Sequence, residues 1–438
     1  MKQSKKAPPR ALFAAAFLII TAAVLPAAPD QGVYAVRNCA AVPVSGPAIE
    51  KAVIVVRDGL IQAVGPADRT PIPEDAEVIE AEGLTAYPGL ILAHGNMFLE
   101  LPAREAAAEG RSETAAVQRQ AEEPKFPPGP GLDVLNLLKP KKETTDAWRK
   151  AGVTTVLVAP AAGIFQGLSS VLNLNGDELE PMVIAHGFAL HVNFTTERGR
   201  YPSSLMGTIA YIRQSFLDAL RYDDWKTRYR KNPTGMRRPR YDAFLEALVP
   251  FASGRGPVVF QCNNVEDIGR ALKIIQEFRL NGILAGATEA WRAADLLKKT
   301  SRPLFVSLDF RAPSSSVFGS RGEEARRKAE TELFPANAAE LAGLKLPFAL
   351  TAFGLADPAA FQRNLRAAVK AGLDEAEALR ALTITPARLL GFERSLGSLE
   401  AGKTANIILT KGRIFDDKTT VTAVFVDGVL FRYSEVTR

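Results

Sequence analysis

The chemistry this chain could carry begins at His94. It closes the apolar run Leu90-Ile91-Leu92-Ala93, which follows a Pro88-Gly89 turn, so the pattern predicts a buried strand that presents polar side chains at its C-terminal end. In a parallel sheet or barrel, that end is where reacting groups are placed. Two imidazoles spaced His-x-His there would hold a divalent metal, but the second position here is Asn96. Three histidines (His94, His186, His191) and two cysteines (Cys39, Cys262) in 438 residues leave few donors for any metal site. His186 and His191 are five apart, so on one continuous strand they face opposite sides and each reads as an ordinary core or surface histidine. Both cysteines read as small core residues.

The elements that must position His94 follow a clear alternation. A helix ends at residues 148–152 and a strand follows at 153–159. Further strands are predicted at 257–261, 282–286, 303–307 and 347–351, with helices at 265–279, 290–299 and from the Asp357-Pro358 cap to Ala371. Strands alternating with helices of this length predict a parallel α/β core. Both ends are different. Residues 34–37, 52–56 and 60–65 read as strands with a hairpin turn at Asp58-Gly59, and residues 405–409 and 421–426 read as strands followed by Asp427-Gly428. A β unit at each end predicts that the ends meet in one composite β domain.

Composition narrows the remaining possibilities. Apolar residues at 47% and charged residues at 23% describe an ordinary globular protein. Net charge is +6, but Lys2, Lys5, Lys6 and Arg10 contribute four of these, so the rest is nearly balanced and no polyanion partner is implied. These basic residues precede a charge-free stretch at 11–28, the order of a secretory leader, cleaved or kept as an N-terminal anchor. The chain is therefore expected to be exported, to the periplasm or cell envelope, with membrane contact only through that segment. Residues 98–131, rich in Ala, Glu, Arg and then Pro, read as a lid or a partly disordered insertion. Arg221 to Arg240 holds eight basic residues interleaved with Tyr222, Trp225 and Tyr229. That mixture suits nucleic acid in principle, but a solvated excursion or a partner-contact face is the favoured reading, with no nucleic acid.

Several motifs resemble the amidohydrolase superfamily, in particular its imidazolonepropionase-like exported members. The stretch 88–96 resembles that family's Pro-Gly-Leu-Ile-Asp-x-His-x-His. The run from Asp374 to Gly391, with Ala378-Leu379-Arg380-Ala381-Leu382-Thr383, resembles its terminal helix motif. Gly397 to Asn406 resembles the turn into its last β unit, with Asn406 where Asp is usual. Residues 201–207 and 213–214 look like a signature of a bacterial subgroup. The resemblance implies a (β/α)₈ TIM barrel at residues 88–395, with a small β-sandwich composed of residues 29–87 and 396–438 after the 1–28 leader.

It also implies a mono- or dinuclear metal site built from the first-strand histidine pair, a histidine on each of two later strands and an Asp near the last. Such a metal lowers the pKa of bound water from about 16 to about 7. Only His94 matches. Asn96 stands for the second histidine, Gln261-Cys262-Asn263 and Ala287-Thr288-Glu289 end the later strands, and Ala352-Phe353-Gly354 follows the last. His94, Asn96, Gln261, Asn263, Thr288 and Ala352 thus mark a degenerate site, and a four-ligand zinc site worth about 10–16 kcal/mol is not expected from one ligand. The resemblance leads to a catalytically silent or ligand-binding protein without a cofactor, assembled as a homo-oligomer or with an active relative. Two alternatives stay open. One is a metal-dependent hydrolase of C–N bonds with zinc held by His94, Glu289 and Asp309; the other is a structural envelope protein acting through residues 221–240.

Overall fold

The structure, a computed structural model, describes residues 32–99, 128–196, 201–310, 332–355 and 357–434. The expected leader at 1–28 lies outside the described residues, as do residues 100–127 of the expected insertion. Among the described residues no helix is long and apolar enough to cross a membrane.

Five strands come first: β1 (Tyr34–Ala41), β2 (Ile49–Arg57), β3 (Leu60–Pro66), β4 (Glu77–Glu80) and β5 (Leu84–Pro88). Ten occupy the middle: β6 (Leu90–Gly95), β7 (Val153–Val158), β8 (Phe165–Leu168), β9 (Ser170–Asn173), β10 (Val183–Ala185), β11 (Leu190–Asn193), β12 (Pro257–Cys262), β13 (Asn281–Gly286), β14 (Leu304–Ser307) and β15 (Phe348–Thr351). Three finish it: β16 (Ile407–Lys411), β17 (Thr420–Val426) and β18 (Val429–Arg432).

The two chain ends do meet. One eight-stranded sheet runs β18-β17-β16-β5-β1-β2-β3, with β4 added on β1. The join is the antiparallel pair of β5 and β16, from Ile407 opposite Pro88 to Lys411 opposite Leu84. Both predicted hairpin turns form with positive φ at both residues, 51° and 77° at Asp58-Gly59 and 51° and 79° at Asp427-Gly428. Turns of this hand match the strand twist, and Asp and Gly tolerate the conformation. The turns touch each other: a Cβ on Gly428 would lie 2.6 Å from the Cα of Gly59, so only glycine allows this approach.

In the middle of the chain, alternate residues of each strand enter two separate cores. Leu92, Val156, Val158, Val258, Phe260, Leu304 and Val306 pack outward with helix residues such as Trp148, Phe216, Ile275 and Phe361. Ile91, Ala93, Leu157, Ala189, Val259, Ile283, Phe305 and Ala349 form an inner cluster, which Ala387, Leu390 and Leu396 join. Strands buried on both faces explain why their sequences read as near-continuous apolar runs. The helix predicted at 265–279 is Val265–Phe278, N-capped by the Asn264 side chain on the Asp267 N–H (2.8 Å). Asp357 caps Pro358–Lys370 as predicted.

The core departs from a closed ring of eight parallel strands. The ladders make a four-stranded sheet, β10-β9-β7-β6, and a six-stranded one, β15-β14-β13-β12-β11-β8. Residues 165–173 pass from one sheet to the other, with β8 antiparallel to β11 and β9 antiparallel to β7. On the other side β15 lies beside β6 without a backbone ladder. There the Ile91 N–H donates to Leu382 O (2.7 Å), and the Gly354 N–H donates to Asn96 Oδ1 (3.3 Å). These bonds take the place of strand pairing. The basic segment also has more order than an excursion: up to Lys231 it is the end of a 27-residue helix, Leu205–Lys231, and Trp225 Nε1 donates to Arg237 O (3.1 Å).

Candidate functional site

His94 sits near the end of β6, where simple alternation after Ile91 and Ala93 would turn it outward. The pairing of β6 with β7 slips between Leu92 and Gly95. That irregularity turns the imidazole toward the inner cluster, where it is 1% exposed. Two rings stack against it: Phe353 at 4.0 Å and 11°, and His191 at 5.1 Å and 26°. Phe305 lies 6.4 Å away.

His191 is the site residue that sequence reasoning missed. On β11, Leu190 and Val192 pack into the outer core, so His191 takes the inner side. The assumption of a continuous strand from 186 to 191 fails, because β10 ends at Ala185 and β11 starts at Leu190. His186 is exposed in the connection, whereas His191 is 1% exposed against His94. The alternation Leu190-His191-Val192-Asn193 was the available signal.

The histidine pair is buried without polar partners. Nδ1 and Nε2 of His94 and Nε2 of His191 find no hydrogen bond among the described residues. Burial disfavours the imidazolium, so the His94 pKa is pushed well below its ordinary value, first by desolvation and then by His191. Desolvation lowers that of His191 to about 3. Both rings are neutral at physiological pH.

The other expected positions are occupied by local structure. Asn96 accepts from the Gly354 N–H, and Ala352 is buried beside it in sequence order after β15. Gln261 Nε2 donates to Asn263 Oδ1 (2.7 Å), and Thr288 Oγ1 donates to Asn263 O (2.6 Å). This pair closes over Gly286, where a Cβ would fall 2.4 Å from Asn263 Oδ1. The Glu289 carboxylate accepts from the Val265 N–H (3.1 Å) and pairs with Arg292 (3.4 Å). Asp309 is half-buried after β14, and its N–H donates to Ser307 Oγ (3.0 Å).

These residues do not fit a catalytic metal. Among the described residues no three His, Cys, Asp or Glu side chains come together in a group that would hold an ion. Cys262 faces the outer core, its thiol 3.4 Å from Phe260 O and pushed well up in pKa by burial, so it stays protonated. Among the described residues His94 has only His191 as a stacked neighbour that could share an ion with it. What remains is two neutral imidazoles in an apolar layer.

Known proteins resemble this chain in sequence and in fold. Residues 284–431 match the model of the amidohydrolase family. The fold is similar to that of a crystallised amidohydrolase from Thermotoga maritima, with a TM-score of 0.75 and 24% identity over 91% of this chain and all of that one. A Xaa-Pro dipeptidase crystallised with methionine has a TM-score of 0.55 at 14% identity, over 92% of this chain and all of that one. A 5-methylthioadenosine/S-adenosylhomocysteine deaminase from Moorella thermoacetica is 39% identical over 72 residues, which is 16% of this chain and 17% of the deaminase.

Proposed function

This chain belongs to the amidohydrolase superfamily, and we propose that it is a member that works by binding and not by metal-assisted hydrolysis of C–N bonds. The observation that carries this reading is that, among the described residues, no three His, Cys, Asp or Glu side chains come together to hold an ion with His94. In a metal hydrolase of this fold the first-strand imidazole would turn a nitrogen lone pair toward an ion shared with other donors. Here Asn96 accepts from the Gly354 N–H, Gln261 donates to Asn263, Thr288 donates to the Asn263 carbonyl, and Ala352 has no donor atom to offer. The core is read as a relaxed form of the eight-stranded barrel, and the end sheet as the counterpart of the superfamily's β-sandwich.

Elemental analysis of the purified protein tests the proposal. Zinc, nickel, manganese and iron are expected well below one equivalent per chain. One equivalent that survives dialysis, and disappears in His94→Ala, would overturn it.

One observation favours the alternative of an active enzyme with a changed ligand set. The unpartnered nitrogens of His94 and His191 are donors that an ion would satisfy. Leaving such an atom unpaired costs about 1–3 kcal/mol. Two neutral imidazoles nevertheless fall short of the three protein ligands that catalytic zinc sites keep. The same metal measurement separates the two readings.

A further inference from the structure

The helix Leu205–Lys231 is covered on one side only. Thr208, Ile212, Ser215, Phe216, Ala219 and Tyr222 are buried against the core. On the opposite side Met206, Ala210, Arg213, Leu217, Leu220 and Asp224 follow one another in steps of four, three, four, three and four residues. That is the spacing of a seam between two paired helices. The seam is open: Met206 is 83% exposed, Leu217 49% and Leu220 37%.

The order of residues along this seam is complementary to itself. About a point between Asp218 and Ala219, Leu217 mirrors Leu220 and Arg213 mirrors Asp224. We propose that this face pairs with the same face of a second copy of the chain, antiparallel about a two-fold axis, with Leu217 meeting the partner copy's Leu220 and Arg213 meeting the partner copy's Asp224. A two-fold axis requires a self-complementary patch, and this one has apolar residues at its centre and opposite charges at equal distances on either side. Charge decides the direction. A parallel pairing would set Arg213 against Arg213 and Asp224 against Asp224. It would also bring together two helix ends that carry Arg228, Arg230 and Lys231. An antiparallel pairing holds those basic ends about 30–35 Å apart, from about 1.5 Å of rise per residue.

Existing ion pairs accommodate the contact. Arg213 holds Glu277 at 2.6 Å, and Asp224 holds Arg228 at 2.9 Å. The guanidinium has five donors, so Arg213 can keep Glu277 and also bind an opposing carboxylate. The result is a four-membered charge cluster at each end of an apolar centre. The inference uses only the outer surface and is independent of what the inner core binds.

Light scattering on the purified protein, eluted from a sizing column, is expected to read a dimer. Leu217→Asp combined with Leu220→Asp is expected to read a monomer that still unfolds in one cooperative transition, at a melting temperature that no longer depends on protein concentration, because both positions are exposed. Disulfide trapping reads the register. Arg213→Cys mixed with Asp224→Cys should give a covalent dimer under mild oxidation, while neither variant alone does so; Cys39 and Cys262 are buried. A monomer at all concentrations, including one whose seam is covered by another protein or another segment, would refute the pairing. So would a dimer that persists in the double aspartate variant, or cross-linking of either cysteine variant by itself.

Discussion

Two buried polar clusters in this molecule are built in opposite ways. At the junction of the end sheet and the core, Asn173 Nδ2 and Asn175 Nδ2 donate to the two oxygens of Asp427 (2.5 and 2.7 Å). Asn406 Oδ1 accepts from the Asp427 N–H (2.8 Å), and Thr155 Oγ1 donates to Asn173 Oδ1 (2.6 Å). Asn406 Nδ2 donates to Thr155 Oγ1 (3.2 Å). Five side chains from β7, β9, the end of β17 and their flanks bond one another, with Asn175 Oδ1 left without a partner among the described residues. In the inner core, His94 and His191 leave three ring nitrogens unpaired and are held by stacking. A paired network ties segments together. An unpaired one leaves the desolvation of its polar atoms uncompensated.

The comparison can be broken experimentally, and the junction should respond most. Asp427→Asn keeps a residue that tolerates the positive φ but sets an amide donor against donors. It is expected to lower unfolding free energy by about 2 kcal/mol, within the range for losing a charge-assisted bond. Urea midpoints measure it, and no change would mean that the network is ornamental. The histidine pair should appear instead in the pH dependence. Above pH of about 6.5 both states are neutral and stability is full. As pH falls toward about 3, the unfolded state takes up protons that His191 in the folded state refuses. Stability then drops by at most about 1.4 kcal/mol per pH unit for each histidine. Midpoints at several acidic pH values check this, and His191→Leu should reduce the slope.

Smaller effects sharpen the contrast. Asn96→Ala removes the acceptor of the Gly354 N–H and should cost about 1 kcal/mol. His94→Leu replaces an unpartnered ring by an apolar group and should fall within about 1 kcal/mol of the parent in either direction. A loss several times larger in His94→Leu would show that this imidazole has a partner, and the two clusters would no longer differ.

Much of this organisation could be read from residues alone. The Asp-Gly turns at 58–59 and 427–428, the Asn264 and Asp357 caps and the apolar strand runs are local signals, and the elements formed where those signals stood. The meeting of the two β ends followed from a β unit at each end of the chain. Long-range pairing was not legible in the same way. Residues 165–173 carry apolar side chains whichever way they run, so nothing local announced that they are antiparallel to both neighbours. The site was half legible. The departures at Asn96, Gln261, Thr288 and Ala352 are visible in the sequence, but the place of His191 depends on a break at residues 186–189 that spacing alone did not reveal. Phe353 stood next to an expected carboxylate position, and only the fold brings its ring over His94.

The pairing of β5 with β16 has a consequence for how the chain reaches its folded form. A ribosome delivers β5 more than three hundred residues before its partner, so the N-terminal strands must wait with one edge unsatisfied until nearly the whole protein has been made. Contacts so distant in sequence slow folding, and an exposed edge in the meantime invites pairing with other chains. A product that stops short of residue 407 would carry that open edge permanently. The contact between Gly59 and Gly428 adds a final check, since the two hairpins can nest only when both ends of the chain are present and correctly turned.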